Sequence, residues 1–192
     1  MTTYRLTLGR RLKQLRKENG WTLAETAERT GLAISTISKV ERGQMSLTYD
    51  RFVPLAQSLG LDVGALFTGE SRSFGPDALM VTRRGDAERY DSPTYVYEML
   101  AAGLSNKQMT PMLGRVTARS FAEFEGYIRH AGEEFLIVTK GALRVHMDGR
   151  SPVDLDQGDS LYFNSGVGHA YTSTSPEEAE ILVVCWQDRN KP

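Results

Sequence analysis

The chain is short of several things. Its one cysteine, Cys185, excludes an intrachain disulfide and argues against the usual thiolate-rich metal sites. A lone thiol suits a reducing compartment. Long apolar runs are missing: the longest is Ile181 to Trp186, far below the roughly 20 residues a membrane span needs. Met1 to Leu8 lacks the apolar core of a secretory signal. Net charge is almost absent, with 23 Lys+Arg against 24 Asp+Glu, so the whole chain is not a bulk polyelectrolyte binder. Internal repeats and low-complexity tracts are absent too. What remains, 192 residues at 40% hydrophobic and 24% charged, is an ordinary globular composition of one or two domains. A soluble, cytoplasmic protein with no membrane partner is expected.

The charge that is present is unevenly placed. Met1 to Arg51 holds ten basic residues against five acidic ones, which leaves the remainder at −6. A basic module joined to an acidic body suggests a nucleic-acid-facing part. The texture divides in the same way. Leu8, Leu12 and Leu15 recur at helical spacing and predict a helix ending near Asn19-Gly20. Thr22 with Glu25 three residues later has the pattern of a capping box. It opens a second helix over Leu23–Arg29, stopped by Gly31. A third is expected over Ser35–Arg42 and a fourth over Tyr49–Leu59, with Pro54 in its first turns. A fifth, short one is expected over Asp62–Phe67. Thr68 to Pro76 contains Gly, Ser and Pro and reads as a linker.

Beyond the linker the pattern changes to short strands between turns. The candidates are Tyr95–Leu100, Leu113–Phe121, Glu134–Thr139, Leu143–Met147, Ser160–Phe163, His169–Thr174 and Ile181–Trp186. Lys140-Gly141, Asp148-Gly149, Gln157-Gly158 and Ser165-Gly166 separate several of them. Many short strands at regular spacing imply a sandwich or barrel. The expected organisation is an all-α domain over residues 1–68, a linker over 69–78 and an all-β domain over 79–192.

Two short helices joined by a tight turn make a helix-turn-helix unit. Ala27 is small where the two helices should cross, Gly31 suits a left-handed turn, and Ile37 and Val40 point to the core. Ser35, Thr36, Ser38 and Lys39 are left outward, able to reach base edges, while Thr22, Lys39 and Arg42 are placed for phosphates. From Arg10 to Phe67 the sequence closely resembles the Xre, phage-repressor type of helix-turn-helix domain. The match runs through Leu23-Ala24-Glu25, Ala27, Gly31, Ser35, Ile37-Ser38-Lys39 and Glu41-Arg42-Gly43. The resemblance implies a lambda-repressor-like fold and binding to double-stranded operator DNA as a homodimer.

The second region carries His130 and Glu134 four apart, then Gly141, Gly158-Asp159, Gly166 and His169. Together these resemble the two cupin motifs over about Ala118 to Gln187, which implies a double-stranded β-helix or jelly-roll barrel. Two positions depart from that pattern. Ile128 stands where the first motif has its first histidine, and Asn164 where the second has a proline. His130, Glu134 and His169 remain as candidate ligands for Zn, Fe, Ni or Mn; two imidazoles and a carboxylate suit a facial triad on Fe(II). The other reading is a metal-free site in which the same groups hydrogen-bond a small ligand or one another. Tyr171 shares strand parity with His169 and Ile128 with His130, so both are expected to line the cavity; Tyr162 is a further candidate. His146 falls on the opposite face of its strand, and Cys185 reads as a small buried hydrophobe.

A helix-turn-helix joined to one cupin is similar to a family of bacterial regulators whose cupin senses a metabolite. It is also similar to hydroxypropylphosphonate epoxidase, a non-haem iron enzyme in the same domain order. That second resemblance places Arg89, Tyr95 and Tyr97 among substrate-contacting positions, and aligns Tyr127 with an asparagine ahead of the first ligand. Arg89 would pair with a carboxylate, phosphonate or sulfonate. The expected function is therefore a DNA-binding transcriptional regulator that senses a small anionic effector through Arg89, Tyr95, Tyr97, Tyr127 and Tyr171, with or without a metal. The alternative is a mononuclear iron oxygenase or epoxidase with a residual helix-turn-helix. A third reading is a metal-free binding module whose helices serve only oligomerisation.

Overall fold

The structure, a computed structural model, describes residues 3–59 and 72–187. The expected helix at Asp62–Phe67 and the first part of the linker lie outside them. Two compact units divide the chain. The first runs up to Ser92 and includes Ala101–Asn106; the second holds Pro93–Leu100 and the chain from Lys107 onward.

Four helices build most of the first unit: α1 (Thr3–Glu18), α2 (Leu23–Thr30), α3 (Ile34–Glu41) and α4 (Tyr49–Ser58). Leu12 and Leu15 of α1 are buried. Asn19 closes α1 by donating from its side chain to the Leu15 carbonyl at 2.8 Å. The capping box at the start of α2 is complete: Glu25 N–H donates to Thr22 Oγ1 at 3.1 Å and Thr22 N–H to Glu25 Oε2 at 2.7 Å. Gly31 ends α2 at φ +69°, the left-handed conformation that glycine takes without cost. Gly9 has another role. A Cβ there would lie 2.3 Å from the Val40 carbonyl, so its hydrogen lets α1 cross the end of α3. Thr26, which carries no sequence signal for the core, is the buried residue of α2, while Ala27 is only half-buried. Its hydroxyl is satisfied by the Thr22 carbonyl at 2.8 Å.

Pro54 is the sixth residue of α4 and removes one intrahelical donor. Burial of Phe52, Val53, Leu55 and Ala56 holds the helix together regardless. The first unit also takes in β2 (Glu88–Asp91), where Tyr90 is 1% exposed. The Tyr90 ring stacks on Phe52 at 5.1 Å and its hydroxyl donates to the Leu47 carbonyl. Residues 79–92, expected with the β domain, thus fall in the helical unit. Part of the expected linker is β1 (Arg72–Ser73), paired in parallel with β4 (Leu104–Ser105).

The second unit is two antiparallel sheets. Its strands are β3 (Tyr95–Met99), β5 (Met109–Val116), β6 (Glu133–Lys140), β7 (Leu143–Met147), β8 (Val153–Leu155), β9 (Ser160–Asn164), β10 (His169–Ser173) and β11 (Ala179–Trp186). One sheet contains β3-β5-β11-β6-β9 in that order, the other β10-β7-β8. Alternation is strict: Ala179, Ile181, Val183 and Cys185 of β11 are buried, as are Glu134, Leu136 and Val138 of β6. One expected strand, Leu113–Phe121, begins earlier, at Met109, and ends at Val116; Phe121–Glu123 is a 3-10 turn capped by Ser120. The start was hidden because Thr110 and Pro111 interrupt the hydrophobic pattern.

Candidate functional sites

The first site is the outer face of α3. Ser35, Lys39 and Arg42 are exposed, Thr36 and Ser38 half-buried, and Ile37 and Val40 face the core. That split follows from helical periodicity alone. Arg42 donates from Nη1 to Ser38 Oγ and from Nε to Gln44 Oε1 at 3.0 Å. Gln44 carries no motif signal, yet it holds a cationic group at this surface. Behind the face, Arg16 of α1 forks onto Glu41 at 2.6 and 3.0 Å and donates to the Trp21 carbonyl at 3.0 Å. This bidentate pair ties α1, the turn and the end of α3 together, with 14% and 6% of the two side chains exposed. The hydrogen bond to Glu41 outweighs burial and holds the Arg16 guanidinium more firmly protonated. Thr22 is exposed at the start of α2, and its backbone N–H holds the Glu25 carboxyl below its ordinary value.

The second site is the interior of the β unit. Register sets it: Cys185 of β11 lies opposite Glu134 of β6, and Glu134 opposite Phe163 of β9. Glu134 is 3% exposed. Its Oε2 is a hub, with His130 Nε2 at 2.9 Å, Cys185 Sγ at 3.5 Å and His169 Nε2 at 3.7 Å. Its Oε1 accepts from the Tyr171 hydroxyl. His169 Nδ1 is placed by the Val167 carbonyl at 2.9 Å, which directs Nε2 inward. Burial pushes the Glu134 carboxyl up. The His130 hydrogen bond, the charges of His169 and His130 and the Tyr171 hydroxyl together hold it below its ordinary value.

Gly132 makes the approach of His130 possible. At φ +104°, a Cβ there would lie 1.9 Å from the Trp186 carbonyl. The loop is then fixed by His130 N–H to the Ser165 carbonyl and Ser165 N–H to the Gly132 carbonyl, both at 3.1 Å.

The tyrosines gather around this hub. Tyr95 accepts a hydrogen bond from the Tyr171 backbone N–H at 2.8 Å, and its ring lies 5.9 Å from Tyr171 and 5.5 Å from Tyr97. Burial raises the Tyr95 and Tyr171 hydroxyls well above the usual phenol range, so both stay protonated as donors. Tyr127 is joined through Phe121 at 4.7 Å and Phe124, whose ring is 5.7 Å from Tyr95. Phe121 and Phe124 escaped the sequence reading because no strand parity marks a turn. Ile128 is buried and bridges His169 across the strands.

Two other residues fall elsewhere. Arg89 lies on β2 in the first unit, where its Nε ion-pairs with Asp91 at 2.7 Å. Tyr162, considered for the cavity, is on the outer face of its sheet, 63% exposed, and donates to Glu133. Cys185 is buried as expected, but it is more than a filler, because its thiol points at Glu134.

The donor set suits a divalent metal on its own chemistry: imidazole, carboxylate and thiol groups, buried and convergent. It is equally a hydrogen-bonded network in which the carboxylate is satisfied without one.

Comparison with known proteins agrees with this division. The family described as Helix-turn-helix domain matches residues 9–72, and the family described as Cupin domain matches residues 122–185. The chain is 25% identical over 177 residues to the HTH-type transcriptional regulator PuuR of Escherichia coli K12, covering 92% of this chain and 93% of that protein. Two solved structures share the fold. One is an HTH_3 family transcriptional regulator from Vibrio cholerae, at TM-score 0.60 and 20% identity, covering 96% of this chain and 98% of that one. The other is hydroxypropylphosphonic acid epoxidase from S. wedmorenis, at TM-score 0.51 and 22% identity, covering 97% and 100%. The chain thus carries a helix-turn-helix domain followed by a cupin domain, and along most of its length it is similar to an HTH-type transcriptional regulator.

Proposed function

We propose that this protein is a transcriptional regulator that binds operator DNA through α3 and senses a small anionic effector in its cupin unit. The observation that carries the reading is the face of α3. Ser35, Lys39 and Arg42 are exposed on a helix that buries Ile37 and Val40, in a segment rich in cations. Short polar side chains there can reach base edges, and Thr22, Lys39 and Arg42 can meet phosphates. The similarity to PuuR, an HTH-type transcriptional regulator, points the same way.

Sensing is supported by the buried, convergent cluster of ionisable groups in the β unit, the kind of place where binding residues gather. A divalent metal, Zn, Fe, Ni or Mn, is held by His130, Glu134 and His169; when bound it supplies a Lewis-acid centre for an anionic ligand. Tyr95, Tyr97, Tyr127 and Tyr171 orient that ligand by hydrogen bonds and ring contacts. The two sheets form a jelly-roll barrel. Two copies assemble as a homodimer, matching a pseudo-palindromic site, and the outer face of the larger sheet supports this. There Met109, Phe135, Tyr162, Val184 and Trp186, with Glu133, line a largely apolar groove of about 380 Å³.

The test is fluorescence anisotropy against the DNA upstream of the protein's own gene, with excess non-specific competitor and a salt series. Nanomolar, competitor-resistant binding is expected. Lys39→Ala and Arg42→Ala should each weaken it and lower the salt slope by about 1. Competitor-sensitive binding alone, with substrate-dependent oxygen uptake by the Fe(II)-loaded protein, would instead establish the oxygenase.

A further inference from the structure

We propose that Cys185 is a thiolate ligand of the cupin metal, which makes the site a four-donor set of His130, Glu134, His169 and Cys185. The inference rests on the metal reading above and deepens it. His130, Glu134 and Cys185 offer ligand atoms that all lie within 4.8 Å of one another. Cys185 Sγ is closer to the shared Glu134 oxygen, at 3.5 Å, than His169 Nε2, at 3.7 Å. A tetrahedral ion with bonds of about 2.0–2.3 Å sets neighbouring donor atoms roughly 3.3–3.7 Å apart. Around Glu134 Oε2 the spacings to Cys185 and His169, 3.5 and 3.7 Å, match that edge, the 2.9 Å to His130 is shorter, and His169, which lies outside the group of three, turns inward to complete the set.

Backbone register places the thiol there. Cys185 pairs with Glu134 across β11 and β6, and the two point into the same interior. Of the apolar-run residues in β11, Cys185 is the one at the level of the ionisable cluster. Ile181 and Val183 lie deeper along the strand, opposite Val138 and Leu136. On metal binding the S–H bond breaks, the sulfur–metal bond forms and the proton leaves to solvent, with no change of oxidation state.

The consequence is chemical. A thiolate shifts preference toward borderline metals such as Zn(II) and Co(II), and away from Mn(II). With four protein donors in place, an anionic ligand reaches the ion only by expanding it to five coordinates or displacing one donor, which suits a sensing centre rather than an oxygen-activating one.

The experiment is Co(II) titration of the full-length, reduced protein under anaerobic conditions, followed by absorption spectroscopy. Cys185 is the chain's one cysteine, so any thiolate-to-cobalt charge-transfer band in the near ultraviolet reports this residue. The expected result is a saturable band with intense tetrahedral visible absorption, both removed by Zn(II). Cys185→Ser should bind Co(II) and lose the ultraviolet band. Saturable Co(II) binding without that band in the wild type would overturn the thiolate ligand and leave the metal reading standing. No Co(II) binding would overturn both.

Discussion

At the residue scale, most of the consequential positions are constrained by a close approach or a buried polar group. Gly132 is the sharpest case, since both its positive φ and the Trp186 carbonyl exclude a side chain. Gly132→Ala should lower stability by at least about 2 kcal/mol and displace His130, read by urea denaturation and by loss of the Co(II) signal. Thr22→Ala removes one half of the capping box and should cost about 1 kcal/mol in the same measurement. His146 makes a separate, pH-linked contribution. Its Nε2 meets Thr172 Oγ1 at 3.0 Å and its ring lies 5.2 Å from Phe121. Burial, followed by the charge of Arg144, lowers its pKa from 6.5, while Asp154 acts in the opposite direction. The unfolded chain then binds a proton more readily than the folded one. Stability from this group is present above about pH 6.5 and is lost as pH falls through the lowered folded value. His146→Gln should therefore lose less stability than the wild type between pH 8 and pH 5.5, measured as urea midpoints at both.

At the element scale, the helix-turn-helix is held by one ionic fork and two glycines rather than by its own short helices. α2 and α3 have eight residues each, too few to be stable alone. Arg16 and Glu41 join α1 to α3 across 25 residues of sequence. A double-mutant cycle on Arg16→Met and Glu41→Gln should return a coupling of roughly 1–3 kcal/mol, because both groups are largely buried. A coupling near zero would mean that Trp21 and the core position α3 without the ion pair. In the β unit the corresponding device is register. A one-residue slip of β11 against β6 would turn Cys185 outward and replace the Cys185–Glu134 pair.

At the scale of the whole molecule, the homodimer proposed above would have its interface at the exposed groove on the larger sheet. Val184→Glu adds a second carboxylate beside Glu133 in the groove lined by Met109, Phe135, Tyr162 and Trp186. It should shift sedimentation from dimer to monomer and weaken operator binding, with α3 itself unchanged. An unaltered dimer would move the interface to another surface.

The sequence by itself determined the two textures, the helices with their caps and the outward polar face of α3. These depend on near neighbours: periods of 3.6 and 2, Thr22 with Glu25, and glycine at turns. It also marked His130, Glu134 and His169, through their spacing. Only the tertiary structure decided the rest. Tyr90 joined the helical core by stacking on Phe52, and Pro111 and Thr110 became part of a strand because β11 lies alongside. Tyr162 faced outward, and Cys185, which reads along the chain as one more apolar residue, came opposite Glu134. The physical reason is common to all of these. Local patterns report the energies of residues a few positions apart, whereas a strand's partner and a side chain's depth are set by contacts between segments far apart in sequence.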